Sequence, residues 1–586
     1  MATGLQRRAN MHLLPLELHI LIQSYLDPRD IISLRMTSKS LYLSTQQRIV
    51  WLAAFHHVCV DHALFEPSFP TENMSTKELE YGALSPARVS ARMKKGLNKT
   101  EIAPWQDRVF RASFLENYNQ ISLIPGGRYL LTGSNTATGV GVSLWDLGAN
   151  PYCEMPKVPM ATTIVKNIGL IDTSPTSDGL GILVTTYFVD DGLSTHISVY
   201  EIHPSAAQPQ FCRKGDLKLN GMNMIHSLTG YHFVSLDQNR MLTFWDIESN
   251  KSFTWNAPFK IEELFLLENH LIILNRTDII VWEIPFLKNV ARSDVADNEL
   301  ANHPPPTINL GYSFPPDSRR PKLFTVPSQW WPKSYSDIIL GSVAPDFKND
   351  VSEMTLHRLD PSSLASGGQI TEMGILSSIP SRMVDESEFL FGLRFCNGEL
   401  CQRWRPDNDV LISLIPFPTP HEETKSVVTK TLFSGPLWDF DFCPASGRLV
   451  VATPENVIRV IDFLSPIRWQ LSGPSGLPTL LYLPINLTNG SVYYGPDTRL
   501  LYHLFGIEGP FEMSPHNYMA QDSIDVVAEL NKHPEADDQV RDRFRALGNS
   551  IATPRLPGSS AFGTRLAFYE CLSAHSACDC ARFRKP

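Results

Sequence analysis

A short strand-ending pattern recurs along the middle of the chain, and no other feature restricts the fold as strongly. The pattern reads apolar, any residue, apolar, aromatic, acid, apolar. Clear copies are Val142–Leu147, Ile197–Ile202, Leu242–Ile247 and the slightly shorter Ile280–Ile284. Each copy follows another short apolar segment, and short apolar segments separated by turns are typical of β-strands. The repetition therefore predicts a chain built from many similar β-units.

The spacing of these copies defines the unit. Their last residues are 55, 45 and 37 positions apart, and a period near 40–50 residues with a Trp-Asp signature is typical of a β-propeller blade. Less regular copies are Met354–Leu359 and Leu400–Trp404, and a clearer one is Ile458–Phe463. The pattern resembles the WD-repeat family in a diverged form, because the usual Gly-His dipeptide is missing and two copies lack the acid. We expect a mainly β fold with about seven blades over residues 106–505, although six or eight blades also fit.

The aromatic and acidic residues of the pattern have structural roles in this interpretation. We expect the Trp, as at Trp145, to fill space between blades, and the acid, as at Asp146, to accept hydrogen bonds in turns. The Pro-rich stretch 303–321 is interpreted as part of a long loop within one blade. Val492–Tyr494 and Leu500–Leu504 are candidate strands of the last blade.

Two groups of aromatic and basic residues are candidates for contact with a protein substrate. Trp330, Trp331 and Tyr335 lie in the insertion near 303–336, and Arg403 and Arg405 flank a tryptophan further along. Exposed aromatic residues together with Arg or Lys are common anchors of protein interfaces. The alternative is that these side chains fill the interior of blades.

The first sixty residues have the pattern of a small all-α module. Asp27-Pro28 separates two apolar stretches, and Pro28 suits the first position of a helix because its missing N–H is not needed there. Ser38 is a candidate N-cap of a further helix, and Trp51 is a large apolar residue near the end of the unit. The first stretch has helical spacing at Leu14, Leu18, Leu21, Ile22, Tyr25 and Leu26.

The stretch from Leu14 to Trp51 resembles an F-box. Two positions depart from the family pattern, since Thr37 stands where Val is usual and Leu41 stands where Trp is frequent. The matching motif reads Leu14-Pro15-x-Glu17-Leu18, then Leu26-Asp27-Pro28-x-Asp30-Ile31, then Leu34 and Ser38-Lys39, and finally Val50-Trp51.

The resemblance implies that this module, residues 1–57, docks the linker subunit of a cullin–RING ubiquitin ligase. A unit of this size cannot bury all of its apolar surface alone. The alternative is a helical bundle that packs on the rest of this chain, and some of the apolar residues must form the module's own core. By resemblance, the docking surface comprises Leu14, Pro15, Leu18, Ile22, Leu26, Ile31 and Leu34.

Composition disfavours several other classes of protein. The net charge of −10 repels phosphate backbones, so a general nucleic-acid binder is not expected. An uninterrupted run of 18 apolar residues is missing from the sequence, so we expect no membrane span, and the N-terminus lacks the apolar segment of a signal peptide. The 9 cysteines fit reduced thiols, and hence a cytoplasmic or nuclear location.

The remaining segments carry weaker signals. Residues 58–105 are interpreted as a helical or irregular connector, with the basic stretch 76–99 as a solvated helix or loop. Residues 506–586 are expected to form a partly helical or irregular C-terminal extension. His and Cys residues cluster near 56–62 and again near 571–580, but neither spacing matches a structural zinc site. We therefore predict no metal site.

Motifs of common enzymes are missing from the sequence, including the P-loop, the dinucleotide-binding glycines, H-E-x-x-H and G-x-S-x-G. We accordingly expect no catalytic residues and no cofactor. The sequence is best interpreted as a non-catalytic adaptor that holds a protein substrate on its propeller. Two alternatives stay open, a propeller scaffold in an assembly unrelated to ubiquitin and a propeller hydrolase.

Overall fold

The chain was analysed as a computed structural model. It divides into two compact units, one of Ile20–Pro28 and Gln46–Arg468 and the other of Met1–His19, Arg29–Thr45 and Trp469–Pro586. The structure describes residues 14–95, 100–110, 117–136, 139–165, 170–257, 260–261, 263–267, 270–275, 278–284, 287, 308–311, 322–325, 330, 338–346, 351–359, 370–380, 393–405, 408–416, 427–465, 486–488, 491–493, 555–560 and 567–572.

Helices occupy the N-terminal part of the described chain. Pro28 is the first residue of the second helix, as predicted, and the Ser38 hydroxyl accepts the Leu41 N–H at 3.2 Å, which confirms the predicted N-cap. Ser75 and Glu78 form a capping box at the start of the fifth helix. The helices are α1 Leu16–Gln23, α2 Pro28–Arg35, α3 Lys39–Thr45, α4 Arg48–Asp61 and α5 Thr76–Lys94.

The prediction of a mainly β chain is confirmed. The described residues after α5 form seven four-stranded antiparallel sheets. Sheet 1 is β2 Asn117–Leu123, β3 Tyr129–Thr136, β4 Gly139–Asp146 and β5 Ala161–Val165. Sheet 2 is β6 Leu170–Pro175, β7 Ile182–Val189, β8 Thr195–Ile202 and β9 Cys212–Leu219. Sheet 3 is β10 Asn223–Thr229, β11 His232–Asp237, β12 Met241–Asp246 and β13 Lys251–Asn256.

The other four sheets follow in chain order. Sheet 4 is β14 Glu263–Leu267, β15 His270–Leu274, β16 Asp278–Glu283 and β17 Ile308–Gly311. Sheet 5 is β18 Lys322–Thr325, β19 Ile338–Asp346, β20 Val351–Leu359 and β21 Ile370–Pro380. Sheet 6 is β22 Leu393–Cys396, β23 Glu399–Trp404, β24 Asp409–Pro416 and β25 Val428–Ser434. Sheet 7 is β26 Asp439–Cys443, β27 Arg448–Thr453, β28 Val457–Asp462 and, from the N-terminal side, β1 Gln106–Phe110.

Sheet 7 therefore combines strands from the two ends of the β-region. β1 pairs antiparallel with β28, from Gln106 opposite Asp462 to Phe110 opposite Ile458. The fourth strand of sheet 7 is thus β1 and not the segment Val492–Tyr494, of which the structure places β30 Ser491–Tyr493 in a two-stranded sheet with β29 Asn486–Thr488. Leu500–Leu504 lies outside the described residues. A second hairpin pairs β31 Arg555–Ser560 with β32 Ala567–Leu572.

Six of the seven copies of the sequence pattern are the third strands of their sheets, namely β4, β8, β12, β16, β20 and β28. The copy at Leu400–Trp404 differs from the other six, because it is β23, the second strand of sheet 6. The third strand there is β24, which buries Val410, Ile412 and Leu414 and carries neither the aromatic residue nor the acid. Its alternation alone does not distinguish a third strand from any other half-buried strand.

The aromatic and acidic residues of the pattern have the predicted roles. Trp145 is buried in a cluster of side chains from sheets 1 and 7, and Trp245 is buried in a cluster from sheets 2 and 3. The Asp146 carboxylate accepts hydrogen bonds from Arg128 at 2.7 and 2.9 Å and from the Gly148 N–H at 2.9 Å. These residues therefore hold sheets and turns together.

The basic stretch 76–99 contains a helix with one buried face rather than a solvated segment. Leu79, Ala83, Val89 and Met93 of α5 are buried, and Val89 and Met93 belong to an apolar cluster shared with sheets 6 and 7. The four residues follow helical spacing, so α5 packs as an amphipathic helix.

Candidate functional site

Helix α1 presents an apolar surface to solvent. Leu16, Leu18, Leu21 and Tyr25, just after the helix, expose 46%, 43%, 46% and 44% of their surface. Side chains of this size are usually more deeply buried, and a group of them on one short helix is typical of a surface that binds another protein.

The predicted docking residues differ in their exposure. Pro15 and Leu18 are exposed, whereas Ile31 in α2 is fully buried. Ile31 therefore serves the core of the described fold, as the sequence argument required of some member of the set. The remaining predicted residues are half-buried, namely Leu14, Ile22, Leu26 and Leu34.

The predicted substrate contacts are only partly described. Trp330 is half-buried, with its ring 5.9 Å from that of Phe65 and its indole N–H donating to the Thr173 hydroxyl at 3.2 Å. Trp331 and Tyr335 lie outside the described residues. The structure thus places Trp330 against sheet 2 and against the segment that follows α4.

Arg403 lies in β23 of sheet 6 and Arg405 lies just after it, but the side chains of both residues contact sheet 7. Arg403 is bound to the Asp441 carboxylate and donates to the Phe440 carbonyl at 3.3 Å. Arg405 donates to the carbonyls of Leu437 and Trp438, both at 3.0 Å. These contacts fix the segment that enters β26.

Trp438 is a surface residue that the sequence analysis did not single out. It exposes 59% of its surface at the start of β26, while its own backbone N–H donates to the Ala452 carbonyl at 2.7 Å. An exposed tryptophan on an ordered backbone is a typical anchor for a protein partner. The only sequence signal was its position directly before the Asp439-Phe440-Asp441 alternation.

Two carboxylates of β26 connect sheet 7 to sheet 1. Asp439 accepts the Ile121 N–H and Asp441 accepts the Leu123 N–H, each at 2.7 Å. Asp441 is also ion-paired with Arg394 of sheet 6 at 3.1 Å. Burial raises the pKa of Asp439 to about 6, although the two backbone N–H groups that it accepts and Arg403 act in the opposite direction.

A cleft of about 440 Å³ lies between α5, the segment that precedes it and the turns of sheets 1 and 7. Its lining includes two equivalent ion pairs, Arg128 with Asp146 and Arg448 with Asp462, each at 2.7 Å. The two arginines follow matching turns, in which Gly127 and Gly447 have φ of +76° and +67°, a conformation that favours glycine. Both turns run from a proline to Gly-Arg in the sequence, as Pro125–Arg128 and Pro444–Arg448.

The histidines and cysteines near α4 are not arranged as a metal site. Among the described residues, no group of three or more His, Cys, Asp or Glu side chains could hold a metal ion. His62 instead donates from Nδ1 to the Val58 carbonyl and accepts the Asn397 N–H at Nε2, both at 3.0 Å. His575, Cys578 and Cys580 lie outside the described residues.

In the part of the chain that the structure describes, none of the helices is both long and apolar enough to cross a membrane.

Comparison with known proteins gives a limited result. No protein-family model matches the chain, and no curated protein matches it. Chains from solved structures do match, among them one from the crystal structure of a mitotic checkpoint complex. The two chains are 11% identical and superpose with a TM-score of 0.30. The match covers 63% of the chain described here and 97% of the chain from the checkpoint complex. The F-box and WD-repeat resemblances stay predictions.

Proposed function

We propose that the seven sheets are the blades of a closed β-propeller. First strands of neighbouring sheets lie side by side, with β2 next to β6, β6 next to β10, β10 next to β14 and β14 next to β18. β26 lies next to β2, and the pairing of β1 with β28 joins the two ends of the β-region. A strand exchanged between the ends is an economical way to remove free sheet edges from a circular array.

The propeller serves as a protein-interaction scaffold without catalytic activity. More specifically, the chain is the substrate-recognition adaptor of a cullin–RING ubiquitin ligase, with an F-box that docks the linker subunit. Its contribution to the reaction is proximity, because it holds a substrate close to another protein's active site. The net charge of −10 makes a protein substrate more suitable than a nucleic acid. Such an adaptor acts in the cytoplasm or the nucleus.

The exposed apolar row on α1 is the observation that carries this proposal. The row consists of Leu18, Leu21 and Tyr25, which follow i, i+3, i+7 spacing, and each leaves more than 40% of its surface in solvent. At about 25 cal/mol per Å² of apolar surface removed from water, covering such a row supplies a substantial share of the free energy of docking. The row coincides with the predicted docking surface at Leu18.

The substrate would bind at the end of the propeller that carries Trp438. α5 and the segment before it contact the turns that follow the first strands of sheets 1, 6 and 7, as at Pro125 and Asn397. Trp438 precedes β26 and so lies at the opposite end of that strand. Arg405 donates to the Trp438 carbonyl, so in this proposal it positions Trp438, and the predicted substrate contacts of Arg403 and Arg405 are indirect.

Co-purification of the full chain with the linker subunit tests the proposal. We expect the double variant Leu18→Ala with Leu21→Ala to bind at least tenfold more weakly than the unmodified chain, because the row loses two anchors. The matched control replaces Leu180 and Leu193 by Ala, since these leucines of sheet 2 are exposed by 53% and 54%.

Binding that is unchanged in the α1 variant, or reduced equally in the control, would count against the F-box assignment. A propeller scaffold in a different assembly would then be favoured. The Trp438→Ala variant separates the two surfaces, because it should weaken substrate capture while leaving linker-subunit binding intact.

A further inference from the structure

The segment between α4 and β1 contacts the first sheet and the last two sheets of the chain. We call residues 62–94, which end with α5, the strap. On sheet 1, the Phe65 N–H and the Ser68 hydroxyl donate to the Pro125 carbonyl at 3.1 and 3.3 Å. Tyr129 donates its hydroxyl to the Pro67 carbonyl at 3.2 Å. Phe65 is buried in the apolar cluster of sheets 1 and 2.

The strap is anchored on sheet 6 through Glu399, the first residue of β23. One carboxylate oxygen accepts the buried Ser90 hydroxyl at 2.8 Å, and the other is 2.9 Å from the Lys94 ammonium group. Ser90 exposes only 2% of its surface. His62 at the other end of the strap accepts the Asn397 N–H. Both ends of the strap are therefore bound to the same hairpin, β22–β23.

Sheet 7 is bound by the middle of α5. Arg88 donates to the Ser465 carbonyl at 2.9 Å, and the Tyr81 hydroxyl donates to the Leu464 carbonyl at 3.4 Å. Gly447 approaches α5 so closely that an added Cβ would lie 2.9 Å from Val89. The strap thus contacts sheets 6, 7 and 1, and it crosses the point where the two ends of the β-region meet.

At this point the proposed ring is closed by hydrogen bonds between strands. Sheets 1 to 7 follow one another along the chain, whereas β26 to β28 of sheet 7 are tied to sheet 1 through the pairing of β28 with β1, a strand of five residues that precedes β2 in the chain. β1 is held to β28 by non-covalent contacts alone, and a short edge strand supplies few of them. The side chains of Asp439 and Asp441 supply one further set.

We infer that the strap is a lock that keeps the junction between sheets 7 and 1 closed. The inference rests on the closed ring proposed above, but not on the F-box or on any partner. Loosening the strap should open this junction locally, while the other junctions stay closed because short chain connections hold them. The ring would then have one defined opening point, controlled by contacts of α5.

Cys443 is a reporter for such opening. Its thiol is buried at the end of β26 and accepts the Gly126 N–H of sheet 1 at 3.3 Å, so it becomes accessible when the two sheets separate. Cys212 is exposed and gives the rate for an open thiol. The full chain is labelled with a maleimide, and the modified cysteines are located by mass spectrometry. Hydrogen exchange of the backbone amides in sheet 3, which the strap variants do not touch, reports general unfolding.

Glu399→Ala and Arg88→Ala should each raise the labelling rate of Cys443 roughly tenfold, because each removes a hydrogen-bonded anchor of the strap. Arg88 belongs to the strap alone, so its loss leaves the sheets themselves intact. The matched control is Glu201→Ala, which removes a buried carboxylate that binds His203 and Lys214 in sheet 2, both at 3.1 Å. It should leave Cys443 as protected as in the unmodified chain.

Two outcomes would overturn the inference. One is a labelling rate of Cys443 that does not change in either strap variant. The other is acceleration at Cys443 accompanied by equally faster hydrogen exchange in sheet 3, which would mean general unfolding rather than a local opening. Neither outcome affects linker-subunit binding, which is measured separately, so failure of the lock is distinguishable from failure of the adaptor proposal.

Discussion

The Asp441 carboxylate accepts the backbone N–H of Leu123 at 2.7 Å, so a side chain of the last sheet completes the hydrogen bonding of the first. Asp441 also binds Arg394 and Arg403 of sheet 6. One nearly fully buried carboxylate therefore connects three sheets. Removal of such a group affects all three together, because each partner loses its acceptor in a region with little water.

We predict that Asp441→Ala lowers the free energy of unfolding by about 3 kcal/mol, since it leaves two arginines without their counter-charge. Urea denaturation followed by tryptophan fluorescence measures the change. The control is Asp216→Ala, which breaks an exposed pair with Arg213 and should cost less than about 1 kcal/mol. Similar losses in the two variants would show that Asp441 is not a central connection.

The raised pKa of Asp439 predicts a pH-dependent stability. Its pKa of about 6 in the folded protein lies above the ordinary aspartate value of 3.8, so the folded state binds more protons between these values. The contribution of Asp439 to stability is therefore lost as pH rises from about 4 to 6. Between pH 4 and pH 7, the free energy of unfolding of Asp439→Asn should therefore rise by about 3 kcal/mol relative to that of the unmodified chain. A difference between the two proteins that is constant with pH would refute this assignment.

The contribution of His62 to stability should depend on pH in the opposite direction. Burial lowers its pKa, although the Val58 carbonyl, Asp61 and Asp27 partly offset this effect. Its stabilising contribution is complete above the unfolded pKa of about 6.5 and is lost as pH falls below it. Protonation of Nε2 also ends its acceptance of the Asn397 N–H. His62→Gln should therefore flatten the loss of stability between pH 7 and pH 5.5, measured by urea denaturation. An unchanged slope would contradict the assignment.

Thr132 of sheet 1 and Ser235 of sheet 3 occupy equivalent positions in the second strands of their sheets, but their hydroxyl groups differ in hydrogen bonding. The Trp145 indole N–H donates to the Thr132 hydroxyl at 3.0 Å, whereas the buried Ser235 hydroxyl has no hydrogen-bond partner among the described residues. We predict that Thr132→Val costs about 1–2 kcal/mol, while Ser235→Ala is neutral or stabilising by up to about 1 kcal/mol. Thermal unfolding compares them, and a comparable loss from Ser235→Ala would imply a partner for its hydroxyl.

Much of the β-architecture could be read from the sequence because the relevant signals are local. A buried third strand requires apolar alternation, a bulky aromatic such as Trp145 fills the space beside it, and Asp146 caps the following turn. These requirements recur in each sheet and leave a visible period. The same reasoning found Pro28 and Ser38, because helix starts depend on the residues next to them.

Features that depend on distant partners could not be read in this way. Gln106–Phe110 has the composition of an ordinary strand, and nothing in it indicates pairing with residues 458–462. Leu400–Trp404 shows the related difficulty that second and third strands share one alternation. Nothing local marks Asp439 and Asp441 as residues that connect sheets, since they accept hydrogen bonds from the backbone N–H groups of Ile121 and Leu123, more than 300 positions away.

The position of β1 also has a consequence for synthesis. β1 emerges from the ribosome about 350 residues before its partner β28, which at about 5–20 residues per second corresponds to a delay of roughly 20–70 seconds. During that interval its edge has no native neighbour and can pair with other nascent strands. In the closed propeller proposed above, the ring stays incomplete for most of translation, and a chain truncated before residue 457 lacks the partner of β1 altogether.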